Sequence, residues 1–137
     1  MLARTLSPHA ERAYALLRIV AGLLFAIHGA QKLFGILGGT RATEAQMILG
    51  GVIEFAGGLL IALGLFTRLA AFVASGEMAV AYVQFHWLKS GVFLPTAREQ
   101  GGNGGELALL YAFVFLFVAC KGSGIWSLSA ARRRSVG

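Results

Sequence analysis

Residues 47–66 read MILGGVIEFAGGLLIALGLF, and Glu54 is the only charged side chain among them. An α-helix rises about 1.5 Å per residue, so a segment of this length spans the roughly 30 Å of hydrocarbon in a bilayer. A single helix also satisfies its own backbone hydrogen bonds in lipid. The segment therefore predicts a transmembrane helix.

Three other apolar segments accompany this one along the chain. Hydrophobic residues make up 57% of the 137 residues and charged residues only 13%, roughly half the ~25% that is usual in a soluble domain. Such a chain has too few polar residues to cover a soluble core. We predict an all-α fold, a single domain over residues 1–137 that forms an integral membrane four-helix bundle. Its predicted spans are residues 14–34, 47–66, 69–88 and 106–122.

The connections between the spans carry the expected helix breakers. Ser7-Pro8 predicts a helix start, with Ser as the cap and Pro at the first position. Residues 38–40 (Gly-Gly-Thr) break the chain after the first span, and Thr67-Arg68 predicts a very short turn. Residues 89–105 form the longest connection and end in a glycine-rich run.

The basic residues predict the orientation, because loops on the cytoplasmic side of a membrane are enriched in Lys and Arg. The opposite side of the predicted bundle carries only Arg41, Lys89 and Arg98, with Lys32 near a span end. Both termini are therefore predicted to be cytoplasmic. In this hydrophobic setting the net charge of +6 favours membrane topology over nucleic-acid binding. The side predicted to be cytoplasmic carries Arg4, Arg12, Arg68, Lys121, Arg132, Arg133 and Arg134.

Several ionisable side chains fall inside or at the ends of the predicted spans. Such residues are costly in lipid, so they usually face the bundle interior and have a partner. The rise per residue places most of them in the outer half of the membrane, with Glu77 near its middle and Arg18 near the cytoplasmic face. The candidate ligand-binding or proton-relay residues are Arg18, His28, Lys32, Glu54, Glu77, His86 and Glu106.

The surroundings of Glu54 predict its burial. Gly50, Gly57 and Gly64 repeat every seven residues, and Glu54 lies on the same stripe. Because a glycine stripe lets a neighbouring helix approach closely, we expect Glu54 to be buried against that neighbour. Lys32 or His28 is its expected partner.

The residues leave two interpretations of this cluster open. Carboxylates beside imidazoles could bind and protonate a small polar or redox-active headgroup. Alternatively, buried ion pairs could serve only to fix helix packing. No metal-ligand spacing such as H-x-x-E-H occurs, so no metal is expected, and the single cysteine, Cys120, is expected to be a small buried apolar residue.

Short motifs along most of the chain, residues 14–128, resemble the DoxX family of small bacterial membrane proteins. Family members commonly end the last motif in Ser-Leu-Asp, whereas this chain has Ser127-Leu128-Ser129 and so offers no carboxylate there. The matching motifs are Arg18 with Gly22, His28-Gly29-x-x-Lys32-Leu33-Phe34, Gly51-x-x-Glu54-x-x-Gly57-Gly58, Gly64-Leu65-x-Thr67-Arg68, Glu77-Met78-x-x-Ala81, His86, Gly105-Glu106-Leu107-Ala108-Leu109-Leu110-Tyr111 and Gly122-x-Gly124-x-Trp126-Ser127.

The resemblance implies a multi-pass protein of the bacterial inner membrane that is associated with redox systems. Related DoxX- and DoxD-type proteins are linked to thiosulfate:quinone oxidoreductase and to membrane complexes that handle oxidative stress and thiols. We therefore expect a subunit or accessory protein of a quinone-linked oxidoreductase, with quinone as the ligand, and leave open whether the chain is itself catalytic. His28 and Lys32 would hydrogen-bond the headgroup and Glu54 would orient that pair. Glu77, His86 or Glu106 would relay protons.

Two other functions stay open at this point. The chain could be a non-catalytic scaffold that recruits redox partner proteins through its basic C-terminus or the 89–105 loop. It could also form a small-solute or proton pathway between Arg18 and the polar cluster. The expected partners are the lipid bilayer and redox proteins, a homo-oligomer is left open, and nucleic acid is not expected.

Overall fold

The computed structural model describes residues 1–135, and no strand occurs in that range, so the predicted all-α class is confirmed. A 3-10 turn at Ser7–His9 joins the first two helices, and a π-helix at Tyr82–Leu88 continues the fourth. Residues 136–137 of the predicted domain lie outside the described residues. The α-helices are α1 (Leu2–Leu6), α2 (Ala10–Phe34), α3 (Ala45–Leu63), α4 (Thr67–Ala81), α5 (Glu106–Lys121) and α6 (Leu128–Ser135).

Each predicted span coincides with one helix when the π-helix is counted as the continuation of α4, and most ends then agree within three residues. The largest shift is at the first span, because α2 begins at Ala10. The predicted cap at Ser7-Pro8 is wrong. The chain is already helical from Leu2, and these two residues form a 3-10 turn inside a nearly continuous helical run.

The predicted turn between the second and third spans is also misplaced. Thr67 is the first residue of α4, and the turn lies at residues 64–66. Gly64 adopts a left-handed conformation with φ of +71° and ends α3, as glycine commonly does after a helix. A Cβ at Gly64 would lie 2.2 Å from the Cβ of Ser127, so the position also lacks room for a side chain.

The helices pack as antiparallel neighbours, with α2 against α3, α3 against α4 and α4 against α5. The ring is completed by contact between α2 and α5, where the Phe25 and Phe115 rings lie 4.7 Å apart. Phe25, Ile61 and Phe115 are at most 1% exposed and form the centre of the core.

The glycine stripe that brings α2 and α3 together is not the predicted one. An added Cβ at Gly57 would meet nothing within 4 Å, whereas one at Gly58 would lie 2.5 Å from backbone atoms of α2. The close contacts are the antiparallel pairs Gly22–Gly58 and Gly29–Gly51. Both helices therefore contribute glycines spaced by seven residues, one position away from the predicted stripe.

The outer surface of the helices is strongly apolar. Phe72 and Phe113, for example, are 65% and 64% exposed. Cys120 is exposed as well, so the expectation that it is buried is wrong. Two helical runs, Arg4–Phe34 and Ala45–Leu63, are long and apolar enough to cross a membrane by length and composition. A surface of this kind is suited to lipid.

Hydrogen bonds from one buried and one exposed arginine hold together the end of the molecule where α3 turns into α4. Arg18 is fully buried, and its Nη1 donates to the carbonyl oxygens of Ile61 and Ala62 at 2.6 and 2.7 Å. Arg68 Nη1 donates to the carbonyls of Ala119 and Cys120 at the end of α5. We call this region the arginine-capped end. Here the guanidinium groups satisfy the carbonyls that a helix end leaves without partners.

Candidate functional site

An ion pair between α2 and α3 lies at the opposite end from the arginine caps. Lys32 Nζ donates to Glu54 Oε1 at 2.5 Å, and the two side chains are 27% and 3% exposed. A Cβ on Gly51 would lie 3.1 Å from the Lys32 Cβ, so the missing side chain at Gly51 makes room for the lysine stem. The prediction that Glu54 is buried is therefore confirmed, and of its two expected partners, Lys32 and His28, Lys32 forms the ion pair.

Two carboxylate oxygens near this pair have no hydrogen-bond partner among the described residues. They are Oε2 of Glu54 and Oε2 of Glu77, and both atoms are buried. The Glu77 side chain faces α3, since its Oε1 would lie 3.1 Å from a Cβ on Gly50. Buried polar atoms are nearly always hydrogen-bonded. Each oxygen is therefore placed to take a proton, a water molecule or a ligand donor.

A partly open cavity of about 190 Å³ lies beside Glu54, on the side of α2 and α5, and we call it the inner cavity. Its polar wall consists of His28, Glu54, His86 and Tyr111, while Phe25 is among its apolar lining. The His28 and Tyr111 rings meet edge to face with centroids 6.3 Å apart. The wall thus combines a buried carboxylate with side chains that can donate hydrogen bonds.

A larger cavity of about 550 Å³ lies between α3 and α4, and we call it the lateral groove. It is lined by Lys32, Glu77 and His86 together with apolar side chains of the outer surface, including the exposed Leu49 and Phe72. Met78, His86 and Ala108 line both cavities. The groove therefore connects the apolar outer surface with the polar residues around the inner cavity.

The π-helix positions His86. The Tyr82 and His86 rings stack with centroids 6.5 Å apart, and the Tyr82 hydroxyl donates to the carbonyl of Phe93. Asn103 is 1% exposed and its Nδ2 donates to the carbonyl of Val92 at 2.9 Å. The Asn103 carbonyl lies 3.3 Å from His86 Nδ1. The 89–105 loop is thus folded against the π-helix and orients the imidazole.

The structure brings five of the seven candidate residues together and leaves two apart. Lys32, Glu77 and His86 line the lateral groove, and His28, Glu54 and His86 line the inner cavity. Arg18 lies at the arginine-capped end, and Glu106 is exposed in a surface hollow that Arg98 and Glu99 also line. Glu106 was expected to turn inward at the start of the fourth span, but the helix phase instead directs Tyr111 to the cavity.

An apolar layer separates Arg18 from the cavity. Phe25, Ile61 and Phe115 lie between these two levels and are almost fully buried. The guanidinium of Arg18 is occupied by backbone carbonyls, including that of Trp126 at 2.7 Å. These contacts make Arg18 a structural residue of the helix ends.

Sequence reasoning missed Tyr111, Tyr82 and Asn103. Tyr82 and Tyr111 each place a hydroxyl in an apolar span, which is a usable signal. Asn103 is the one amide in the glycine-rich run. Within residues 1–135, no group of three or more His, Cys, Asp or Glu side chains is arranged to hold a metal ion.

An apolar outer surface around a buried polar cluster defines this chain as a helical membrane protein. A DoxX family model matches residues 13–87, which include α3, α4 and the π-helix. The chain is also 45% identical over 120 residues to an uncharacterized protein of Haemophilus influenzae, with 83% of this chain and 86% of the relative covered. No solved structure matches it. The chain belongs to the DoxX family.

Proposed function

We propose that the chain binds a quinone as a subunit or accessory protein of a quinone-linked oxidoreductase system. The headgroup occupies the inner cavity and the apolar tail lies in the lateral groove. The observation that carries this proposal is the polar wall formed by the buried Glu54 and Tyr111 and the half-buried His28 and His86, which adjoins a groove open to the apolar surface. A ligand that enters from lipid and carries a polar head fits this arrangement.

The size and chemistry of the cavity support a quinone ring. A protein cavity of about 150 Å³ holds a benzene ring, and the inner cavity is about 190 Å³. Quinone oxygens accept hydrogen bonds, and the imidazoles of His28 and His86 and the hydroxyl of Tyr111 can donate them. Lys32 was expected to share this role, but its amine is already paired with Glu54.

The two glutamates are the proposed proton carriers. A bound quinone accepts two electrons and two protons, and a redox partner protein supplies the electrons. Glu54 Oε2 and Glu77 Oε2 have no partner among the described residues, so each can hold a proton and release it toward the cavity. Lys32 compensates the charge of Glu54 when that proton has left.

The proposed setting is a multi-pass, four-helix bundle in the bacterial inner membrane with both termini cytoplasmic. The arginine-capped end holds most of the basic residues, which supports its placement at the cytoplasmic face. The cavities then lie in the outer half of the membrane.

Two observations favour a quinone site over the alternatives. A continuous solute or proton pathway has to cross the layer of Phe25, Ile61 and Phe115, three apolar side chains that are at most 1% exposed. A purely structural scaffold does not account for two buried carboxylate oxygens without partners in the described chain.

Quinone binding can be tested on the full-length protein purified in a mild detergent. We expect mass spectrometry to find co-purified quinone. After that quinone has been removed, we expect a short-tailed quinone to bind the protein. Gly76→Leu should weaken binding, because Gly76 lines the groove and an added Cβ there meets nothing within 4 Å. The matched control is Ala79→Leu, which adds a similar volume on the exposed face of α4.

A second variant tests the polar wall. Glu54→Gln keeps the shape of the side chain and removes its charge, so we expect a folded protein with impaired quinone reduction in the assembled system. Absence of quinone from the purified protein together with no binding in the titration would overturn the proposal. Equal loss of binding in the Gly76 and Ala79 variants would show that the quinone tail does not lie in the lateral groove.

A further inference from the structure

A second pocket lies at the arginine-capped end, far from the lateral groove. It has a volume of about 390 Å³, and Arg12 of α2 and Arg134 of α6 line it together with the segment that leads into α6. Trp126 is part of this wall and is 56% exposed. We propose that this pocket binds the headgroup of an anionic glycerophospholipid. The inference does not depend on the quinone proposal.

The wall of the pocket is fixed in place by partly buried hydrogen bonds. Trp126 adopts a left-handed backbone conformation with φ of +53°, and its carbonyl accepts a hydrogen bond from Arg18 at 2.7 Å. Ser127 caps α6, since its hydroxyl accepts from the amide of Ala130 at 3.1 Å. Ser129 Oγ donates to the Gly64 carbonyl at 2.6 Å. The start of α6 is thereby anchored to the end of α3.

The identity of residue 129 contributes to this anchor. A carboxylate at position 129 could not donate to the Gly64 carbonyl when ionised, whereas the Ser129 hydroxyl does. It would also add a negative charge close to the pocket. The serine therefore suits both the anchoring of α6 and the binding of an anion.

The two arginines of the pocket differ from Arg18, Arg68 and Lys121 at this end. Arg18 and Arg68 donate to backbone carbonyls, and Lys121 pairs with Glu11 at 2.6 Å. Arg12 and Arg134 have no carboxylate partner within residues 1–135, and no acidic residue appears among the described residues that line the pocket. Their positive charges are therefore available to an anionic ligand.

The chemistry of the pocket matches a phosphodiester group at the membrane surface. Guanidinium groups bind phosphate oxygens through paired hydrogen bonds. An exposed tryptophan is favoured at the level of lipid headgroups, where its ring contacts the glycerol and upper acyl region and its N–H contacts water. Two arginines beside one tryptophan thus recognise a lipid that carries a net negative charge.

The test uses the intrinsic fluorescence of Trp126 in full-length protein. The chain has two tryptophans, so Trp87→Phe leaves Trp126 as the only one. Phosphatidylglycerol brominated near the headgroup end of its acyl chains is titrated into phosphatidylcholine nanodiscs. We expect saturable quenching, with the midpoint raised about five-fold by Arg12→Gln or by Arg134→Gln, since each basic residue near anionic lipid contributes about 1 kcal/mol.

The matched control is Arg41→Gln, which removes the same charge from an exposed position outside the pocket. It should leave the quenching midpoint unchanged. Equal quenching by brominated phosphatidylcholine, or an equal shift in the Arg41 variant, would overturn the site. Displacement of the lipid by millimolar inorganic phosphate would show a general anion site and would overturn the assignment to a lipid. Circular dichroism melting of each variant identifies any loss of folding.

Discussion

Replacing Lys32 with Met should destabilise the protein more than replacing Glu54 with Gln, although both changes break the same ion pair. The two side chains differ in exposure, with 27% for Lys32 and 3% for Glu54. Lys32→Met leaves the buried Glu54 carboxylate without the lysine that pairs with it, which costs about 3–5 kcal/mol. Glu54→Gln leaves the Lys32 amine unpaired, but this amine lies near the end of α2 and can reach water. The loss in free energy of unfolding is therefore at most about 1.5–3 kcal/mol, the net contribution of a hydrogen bond to a charged group.

The double variant makes the comparison quantitative. Lys32→Met combined with Glu54→Gln removes the buried charge that the single lysine variant leaves behind, so it should be more stable than Lys32→Met alone. The free energy of unfolding is measured by denaturant titration in a mild detergent. Lys89→Met is the control for loss of an exposed lysine, and it should change the free energy by no more than about 0.5 kcal/mol.

Two results would refute this account of the Lys32–Glu54 ion pair. One is a Glu54→Gln variant that is as unstable as Lys32→Met. The other is strict additivity in the double variant, because additivity means that the two side chains do not interact. Either outcome would indicate that Glu54 is not an ionised carboxylate stabilised by Lys32 in the folded protein.

Three further predictions concern packing and caps. Gly58→Ala should lower the free energy of unfolding by about 1–3 kcal/mol, because the added Cβ overpacks against α2. Gly57→Ala should leave it nearly unchanged, because its Cβ meets nothing within 4 Å. Thermal melting of the two variants checks this difference. Arg18→Met should lower the melting temperature strongly, because each buried carbonyl left without a partner costs about 1–3 kcal/mol. Asn103→Ala should speed amide exchange across residues 91–105, since it removes the side-chain bonds that hold this loop, and unchanged protection in hydrogen-exchange mass spectrometry would contradict it.

The helices could be predicted closely from the sequence because apolar length and glycine ends are local signals. The start of α5 at Glu106 illustrates this, since it directly follows the glycine-rich run, whereas at the end of α3 the predicted span runs on to residue 66, past the glycine signal at Gly64. The contact between α2 and α3 was harder to predict. Residues 50 and 57 and residues 51 and 58 are both glycine pairs spaced by seven. The choice between these neighbouring stripes depends on Gly22 and Gly29 of α2, so only the partner helix determines the register.

The site could be predicted only in part for a related reason. Depth along a helix follows from counting residues, and this placed Lys32 correctly beside Glu54. The direction of a side chain around the helix depends on where the helix begins and on how regular it is. Glu106 is at the correct depth but is exposed, because it occupies the first position of α5 and points away from the neighbouring helices.

The irregular turn of the π-helix is what brings Glu77 and His86 into the lining of one groove. Nine residues along a regular α-helix make about two and a half turns, so these side chains would face opposite directions. The wider i→i+5 turns of Tyr82–Leu88 rotate the chain less per residue, and both side chains line the lateral groove. Such π segments are frequent at functional sites and rare elsewhere. A fold that needed His86 only for packing could use a regular helix, so the π-helix supports a ligand-binding role for this end of the molecule.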